Sequence, residues 1–122
     1  GRLRIMSHNV WKNDKNLPAW AAKGEDCSAA VRAKGMVRIY AETQPDIIGF
    51  QEMSPTMVDE ILLGLTSQDQ RYALLWGRDT PILYRQDRFE LLDSDLFHET
   101  PRLGGRIQQQ RHQILVHRRV PR

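Results

Sequence analysis

An asparagine and a glutamate, Asn9 and Glu52, each close a short apolar run in this sequence, and together they offer an amide and a carboxylate. A carboxylate suits Mg²⁺, a hard cation that takes oxygen ligands and commonly keeps one or two carboxylates, several waters and substrate phosphate oxygens in its shell. The amide of Asn9 can donate to a phosphate oxygen while its carbonyl orients a neighbouring group. A polar residue at the end of a strand is more often a cap or a solvated edge, so the pair gains its meaning from the elements that carry it.

Residues 3–10 alternate Leu3, Ile5, Ser7 and Asn9 with Arg4, Met6, His8 and Val10. That period of two predicts a strand whose faces meet different surroundings. Residues 46–52, with Ile47, Ile48 and Phe50, predict a second short strand ending at Glu52. Between them, residues 11–25 show no apolar period and contain the turn-like Asn16-Leu17-Pro18, which predicts a loop. Ser28 is placed to cap a helix running to Thr43, with Ala29, Ala33, Val37, Tyr40 and Ala41 along one side and Gln44-Pro45 as its stop. A strand, helix, strand order is a βαβ unit, whose crossover makes the two strands parallel. Asn9 and Glu52 then share the carboxyl edge of the sheet, where open α/β sheets bind their ligands.

Further along, Ser54-Pro55 opens a second helix with Met57, Val58, Ile61, Leu62 and Leu65 in one stripe, and both helices are expected to pack on the sheet. Residues 72–76, 81–85 and 89–92 are strand candidates, the last two joined by Gln86-Asp87-Arg88 in an expected hairpin. No internal repeat is present. With 122 residues, 40% apolar and 27% charged, the chain is long and apolar enough for one folded domain.

No apolar run approaches the ~20 residues needed to cross a bilayer. The first residues read as a strand rather than a signal peptide, so the chain is expected to be soluble, with no compartment assigned. Cys27 is the single cysteine, which excludes an intrachain disulfide and a cysteine-based zinc site, and it is expected to be an inert small residue. Charge is uneven. Residues 1–101 hold all 15 acids and 12 of the 18 Lys and Arg, a net of −3, whereas residues 102–122 hold six Arg and no acid, a net of +6.

Two stretches resemble the opening motifs of the endonuclease/exonuclease/phosphatase family. They are Leu-Arg-Ile-Met-Ser-His-Asn-Val-Trp over residues 3–11 and Gln-Pro-Asp-Ile-Ile-Gly-Phe-Gln-Glu over residues 44–52, the Gln-Glu pair being the most specific. Residues 80–92 look like the family's next hairpin, and Glu99-Thr100-Pro101 matches a segment that follows it in some bacterial members. The resemblance implies that Asn9 helps position the phosphate and that Glu52 binds the divalent metal, Mg²⁺ or Mn²⁺. It implies the N-terminal part of a two-sheet α/β sandwich, here a βαβ unit followed by a helix and antiparallel hairpin strands, over residues 1–101.

The family's later Gly-Asp-X-Asn and Ser-Asp-His motifs have no match, since Ser94-Asp95 is followed by Leu96. Those motifs would supply general acid-base help and much of the transition-state stabilisation. The expected function is therefore Mg²⁺-dependent hydrolysis of a phosphoester of undefined class, in a chain that is itself a poor catalyst. The basic segment 102–122, with Gly104-Gly105 and Gln108-Gln109-Gln110, differs in composition from the body and is expected to be a disordered or off-family extension of a truncated or frame-altered product. Its charge also predicts weak, sequence-blind contact with nucleic acid. The alternative is a non-catalytic fragment or binding module that uses this tail on nucleic acid, or that self-associates or pairs with a complementing chain to complete the fold.

The remaining polar residues have quieter readings. His8 points to the face opposite Asn9 and is expected to be packed or hydrogen-bonded, Tyr84 and Arg85 to serve sheet packing and an ion pair, and His98, His112 and His117 to lie on the surface.

Overall fold

The computed structural model describes residues 2–77, 80–99 and 109–118, with side chains described only as far as residue 94. Nine elements follow in the order β1 (Ile5–Asn9), α1 (Pro18–Ala21), α2 (Ala29–Thr43), β2 (Ile47–Gln51), α3 (Pro55–Ser67), β3 (Tyr72–Leu75), β4 (Ile82–Arg85), β5 (Phe89–Glu99) and β6 (Gln109–Arg118). The βαβ expectation holds: β1 and β2 are parallel, with Ile5 opposite Ile47 and Asn9 opposite Gln51. They belong to a four-stranded sheet of order β1-β2-β4-β3, in which β4 runs antiparallel to both β2 and β3.

Helices α2 and α3 cover one face of this sheet. Ala29, Ala33, Val37 and Tyr40 of α2 and Met57, Val58, Ile61 and Leu65 of α3 are buried, and they pack with Ile48, Phe50 and Leu83 of the strands in one core. The i, i+3, i+4 spacing of these residues puts a single apolar stripe on each helix. A Cβ on Gly64 would lie 2.7 Å from a methyl of Val37, so this glycine lets the two helices approach closely. The opposite face is exposed along β1, at Ile5, Ser7 and Asn9, with Ile5 at 68%.

The helix starts differ. Ser54 caps α3, its hydroxyl accepting from the Met57 N–H at 3.1 Å with Pro55 in the first turn. Ser28 precedes α2 but makes no side-chain cap bond; its own N–H instead donates to Asp26 Oδ1 at 2.8 Å. The loop expected over residues 11–25 contains the single turn α1, started by Pro18.

Two expectations about the later strands change. The Gln86-Asp87-Arg88 turn does not close a hairpin between β4 and β5, because β4 already has β2 on one side and β3 on the other and offers no free edge. Strand β5 instead runs on to Glu99 and forms a separate two-stranded sheet with β6. Residues 109–118, inside the segment expected to be a basic extension, thus form a strand in register from Phe89 opposite Arg118 to Glu99 opposite Gln109. Residues 102–108 and 119–122, and the side chains of His98, His112 and His117, lie outside the described residues.

The amino end of β1 and β2 is locked by charge. Asp46 is wholly buried and accepts from the Arg4 N–H at 2.8 Å and from Arg88 Nη1 at 2.7 Å. Tyr72 adds a bond from its hydroxyl to the Pro45 carbonyl at 2.6 Å.

Candidate active site

The carboxyl end of the same two strands brings Asn9 and Glu52 together. Because Asn9 lies opposite Gln51, Glu52 is the first residue past the ladder, and its side chain returns to Asn9, whose Nδ2 donates to Glu52 Oε2. Asn9 Oδ1 accepts from the Trp11 N–H at 3.0 Å, so the amide is oriented from both ends. The Val10 N–H donates to the Gln51 carbonyl at 3.0 Å and carries the strand pairing one residue further. Both Asn9 and Glu52 are exposed, as a site for an incoming ligand requires.

The backbone here is unusual. Glu52 has φ 53° and Trp11 has φ 57°, both left-handed. For residues with a Cβ this conformation costs about 1–2 kcal/mol, and such positions concentrate where a side chain must be aimed. At Glu52 the left-handed turn takes the chain off the sheet while returning the carboxylate towards Asn9. The bonds to Asn9 on either side offset part of that cost.

Around the pair, the loop after β1 is fastened by Arg32 of α2. Its guanidinium donates to the carbonyls of Val10, Trp11, Asn13 and Cys27, the Trp11 bond being 3.0 Å and the Cys27 bond 2.8 Å. It also lies 5.0 Å from the centroid of the Trp11 ring, a cation–π contact. Asp14 ties the same loop to the start of α3 by accepting from the Ser54 hydroxyl at 2.5 Å. Gln51 bridges the strands on the open face, its amide reaching the Ser7 hydroxyl at 3.0 Å. None of these supports is visible in the sequence: Arg32 reads as an ordinary helix-surface residue until the loop folds across it.

His8, Tyr84 and Arg85 fall as read. His8 Nδ1 lies 2.6 Å from the Tyr40 hydroxyl on the helix-covered face, and burial lowers its pKa. Arg85 forms a paired contact with Asp87, at 2.8 Å and 3.1 Å, which holds the Asp87 carboxyl below its ordinary range, and Tyr84 is buried. Cys27 is a buried free thiol whose sulfur accepts from the Leu17 N–H at 3.5 Å. Among the described residues no group of three His, Cys, Asp or Glu gathers around a point. No helix among them is long and apolar enough to cross a membrane.

No protein-family model matches the sequence, and no curated protein matches it. Solved structures do. An endonuclease/exonuclease/phosphatase family protein of Bacteroides thetaiotaomicron aligns with a TM-score of 0.60 and 20% identity, over 79% of this chain and 35% of that one. A mannosyl-6-phosphatase of the same organism aligns with a TM-score of 0.61 and 20% identity, over 80% of this chain and 36% of that one. D. rerio TDP2, in complex with a single-strand DNA product, aligns with a TM-score of 0.56 and 27% identity, over 79% and 34%. The chain thus spans about a third of the length of the structures it matches.

Proposed function

We propose that this chain, which has the fold of one part of an endonuclease/exonuclease/phosphatase domain, supplies the metal-binding half of a phosphoester hydrolase site. The observation that carries this reading is the hydrogen-bonded pair of Asn9 and Glu52 at the carboxyl ends of adjacent parallel strands.

The donor set fits a hard cation. Glu52 uses Oε2 towards Asn9, its other oxygen has no protein partner among the described residues, and the surrounding exposure leaves room for waters and substrate oxygens. Mg²⁺ or Mn²⁺ held by Glu52 would polarise a phosphate oxygen and make a bound water more acidic. Asn9 spends one Nδ2 hydrogen on Glu52 and keeps a second for a phosphate oxygen, with the Trp11 N–H fixing the plane of the amide. Arg32 holds the loop that presents that N–H.

A single carboxylate gives only part of a Mg²⁺ shell, and loss of one preorganised electrostatic group costs about 10²–10³ in rate. The chain by itself is therefore a weak metal binder and a poor hydrolase. The test is purified protein with Mg²⁺ or Mn²⁺ on a generic diester, a nucleic acid and a monoester, beside Glu52→Gln and Asn9→Ala. Weak Mn²⁺ binding lost in Glu52→Gln, with little or no turnover, is the expected result. Robust turnover abolished by Glu52→Gln would overturn the poor-catalyst part of the reading, and metal binding untouched by Glu52→Gln would overturn the site itself.

The exposed face of β1 supports a second reading, in which another chain or another copy covers Ile5 and completes the fold. The six Arg of residues 102–122 would then add salt-sensitive contact with nucleic acid. Light scattering across a concentration series tests the association: a strict monomer at all concentrations removes self-pairing.

A further inference from the structure

The end of the sheet opposite Asn9 and Glu52 gathers arginines. Arg4 precedes β1, and Arg85 ends β4, which runs antiparallel to β2 with Tyr84 opposite Ile47. These two, with Arg2, Gln44 and Arg88, line a pocket of about 260 Å³. A water occupies about 30 Å³ in the liquid, so this space admits a polyatomic anion as well as solvent.

The charges in the pocket are not balanced. Asp46 is spent on Arg88 and the Arg4 N–H, and Asp87 on both the Nε and Nη2 of Arg85. Among the described residues the Arg4 guanidinium has only the Thr43 carbonyl, at 2.8 Å, and Arg2 has no ion-pair partner. Among the described residues four guanidiniums are thus set against two carboxylates, an excess of two positive charges around a polar space. Gln44 adds a side-chain amide whose oxygen accepts from Arg85 Nη1 at 3.4 Å, leaving its NH₂ group to donate. Arg85 and Arg88 are fixed by their ion pairs, so the walls are built before a ligand arrives.

We propose that this pocket binds a phosphate-class anion, with Arg2, Arg4 and Gln44 as direct contacts and Arg85 and Arg88 as the fixed cationic wall. The planar fork of Arg matches phosphate oxygens in pairs, and two uncompensated charges suit a multiply charged anion better than a single carboxylate. The five residues of β1 separate this pocket from Asn9 by roughly 15 Å at ~3.3 Å per residue, so it is a site apart from the Glu52 carboxylate.

The experiment titrates the full chain, without divalent metal and at fixed ionic strength, with inorganic phosphate, with diphosphate and with a short oligothymidylate, followed by calorimetry. Arg2→Gln, Arg4→Gln and Glu52→Gln are run beside it. Saturable binding that weakens about tenfold or more in each Arg variant and is unchanged in Glu52→Gln is the expected result, since each change removes a charged hydrogen bond. An effect confined to phosphate or diphosphate assigns a free small phosphate; an effect on the oligonucleotide assigns the phosphates of a nucleic acid. Absence of saturable binding, or binding of every probe equally by wild type and both Arg variants, overturns the proposal. Circular dichroism checks each fold, and Arg2→Gln keeps the test intact if Arg4→Gln disturbs the strand start.

Discussion

At the amino end of β1 and β2 a carboxylate, Asp46, is wholly buried and held by Arg88 and a backbone N–H; at the carboxyl end a carboxylate, Glu52, is exposed and held by the amide of Asn9. The first arrangement takes charge out of water and must repay its desolvation by close pairing, which makes it sensitive to loss of a partner. The second leaves a carboxylate exposed to solvent on a left-handed backbone. One pair of strands therefore has a buried, charge-locked end and a solvent-exposed end.

The largest effect should come from separating these roles by mutation. Arg88→Ala leaves Asp46 buried with only a backbone partner and should cost about 2–3 kcal/mol, the usual penalty being reduced because Arg88 is itself a third exposed. Glu52→Gln should shift stability by less than about 0.5 kcal/mol, as an exposed change does. Urea denaturation of both proteins decides it, and equal losses would erase the distinction between the two ends.

Arg32→Ala comes next. It removes the bonds to four loop carbonyls and the contact with Trp11, and should cost about 1–2 kcal/mol while leaving the core packed. Limited proteolysis should then cut within residues 11–28 sooner than in wild type; an unchanged cleavage rate would mean that Arg32 does not hold the loop.

Glu52→Gly should act in the other direction. It relieves the φ of 53° and should add up to about 1 kcal/mol of stability while abolishing the proposed metal binding. Opposite signs for stability and binding at one residue would show that the turn is kept for its side chain. A destabilised Glu52→Gly would instead assign Glu52 a structural role.

The smallest effect concerns His8. Burial lowers its pKa in the fold, so the unfolded chain takes up a proton first as pH falls. Its contribution is whole above the ordinary histidine value of about 6.5 and declines as pH drops through the lower folded value. Urea midpoints between about pH 7.5 and 5.5 should fall more in wild type than in His8→Gln. Parallel curves would remove His8 from the account.

The elements with strong periodicity were legible. The stripes of α2 and α3 and the strand ends at Asn9 and Glu52 follow from residue spacing, and the βαβ order brings those ends to one edge. What escaped depends on contacts distant in sequence. Arg32 gains its role from a loop about twenty residues earlier, and the placement of β5 depends on β4 having lost both edges to β2 and β3. Strand β6 was hidden because an arginine- and glutamine-rich run signals solvent before it signals pairing, and α1 because one turn has no period to read.

Among the described residues the sheet order places β1 outermost, with β2 on one side only. A parallel edge strand presents a row of unspent N–H and C=O groups, and neither proline nor lysine within Ile5–Asn9 blunts it. An extended segment laid along β1 would continue the ladder and run past Asn9 as it did so. Extension of the sheet by one strand and the placement of Asn9 would therefore rest on the same element, β1.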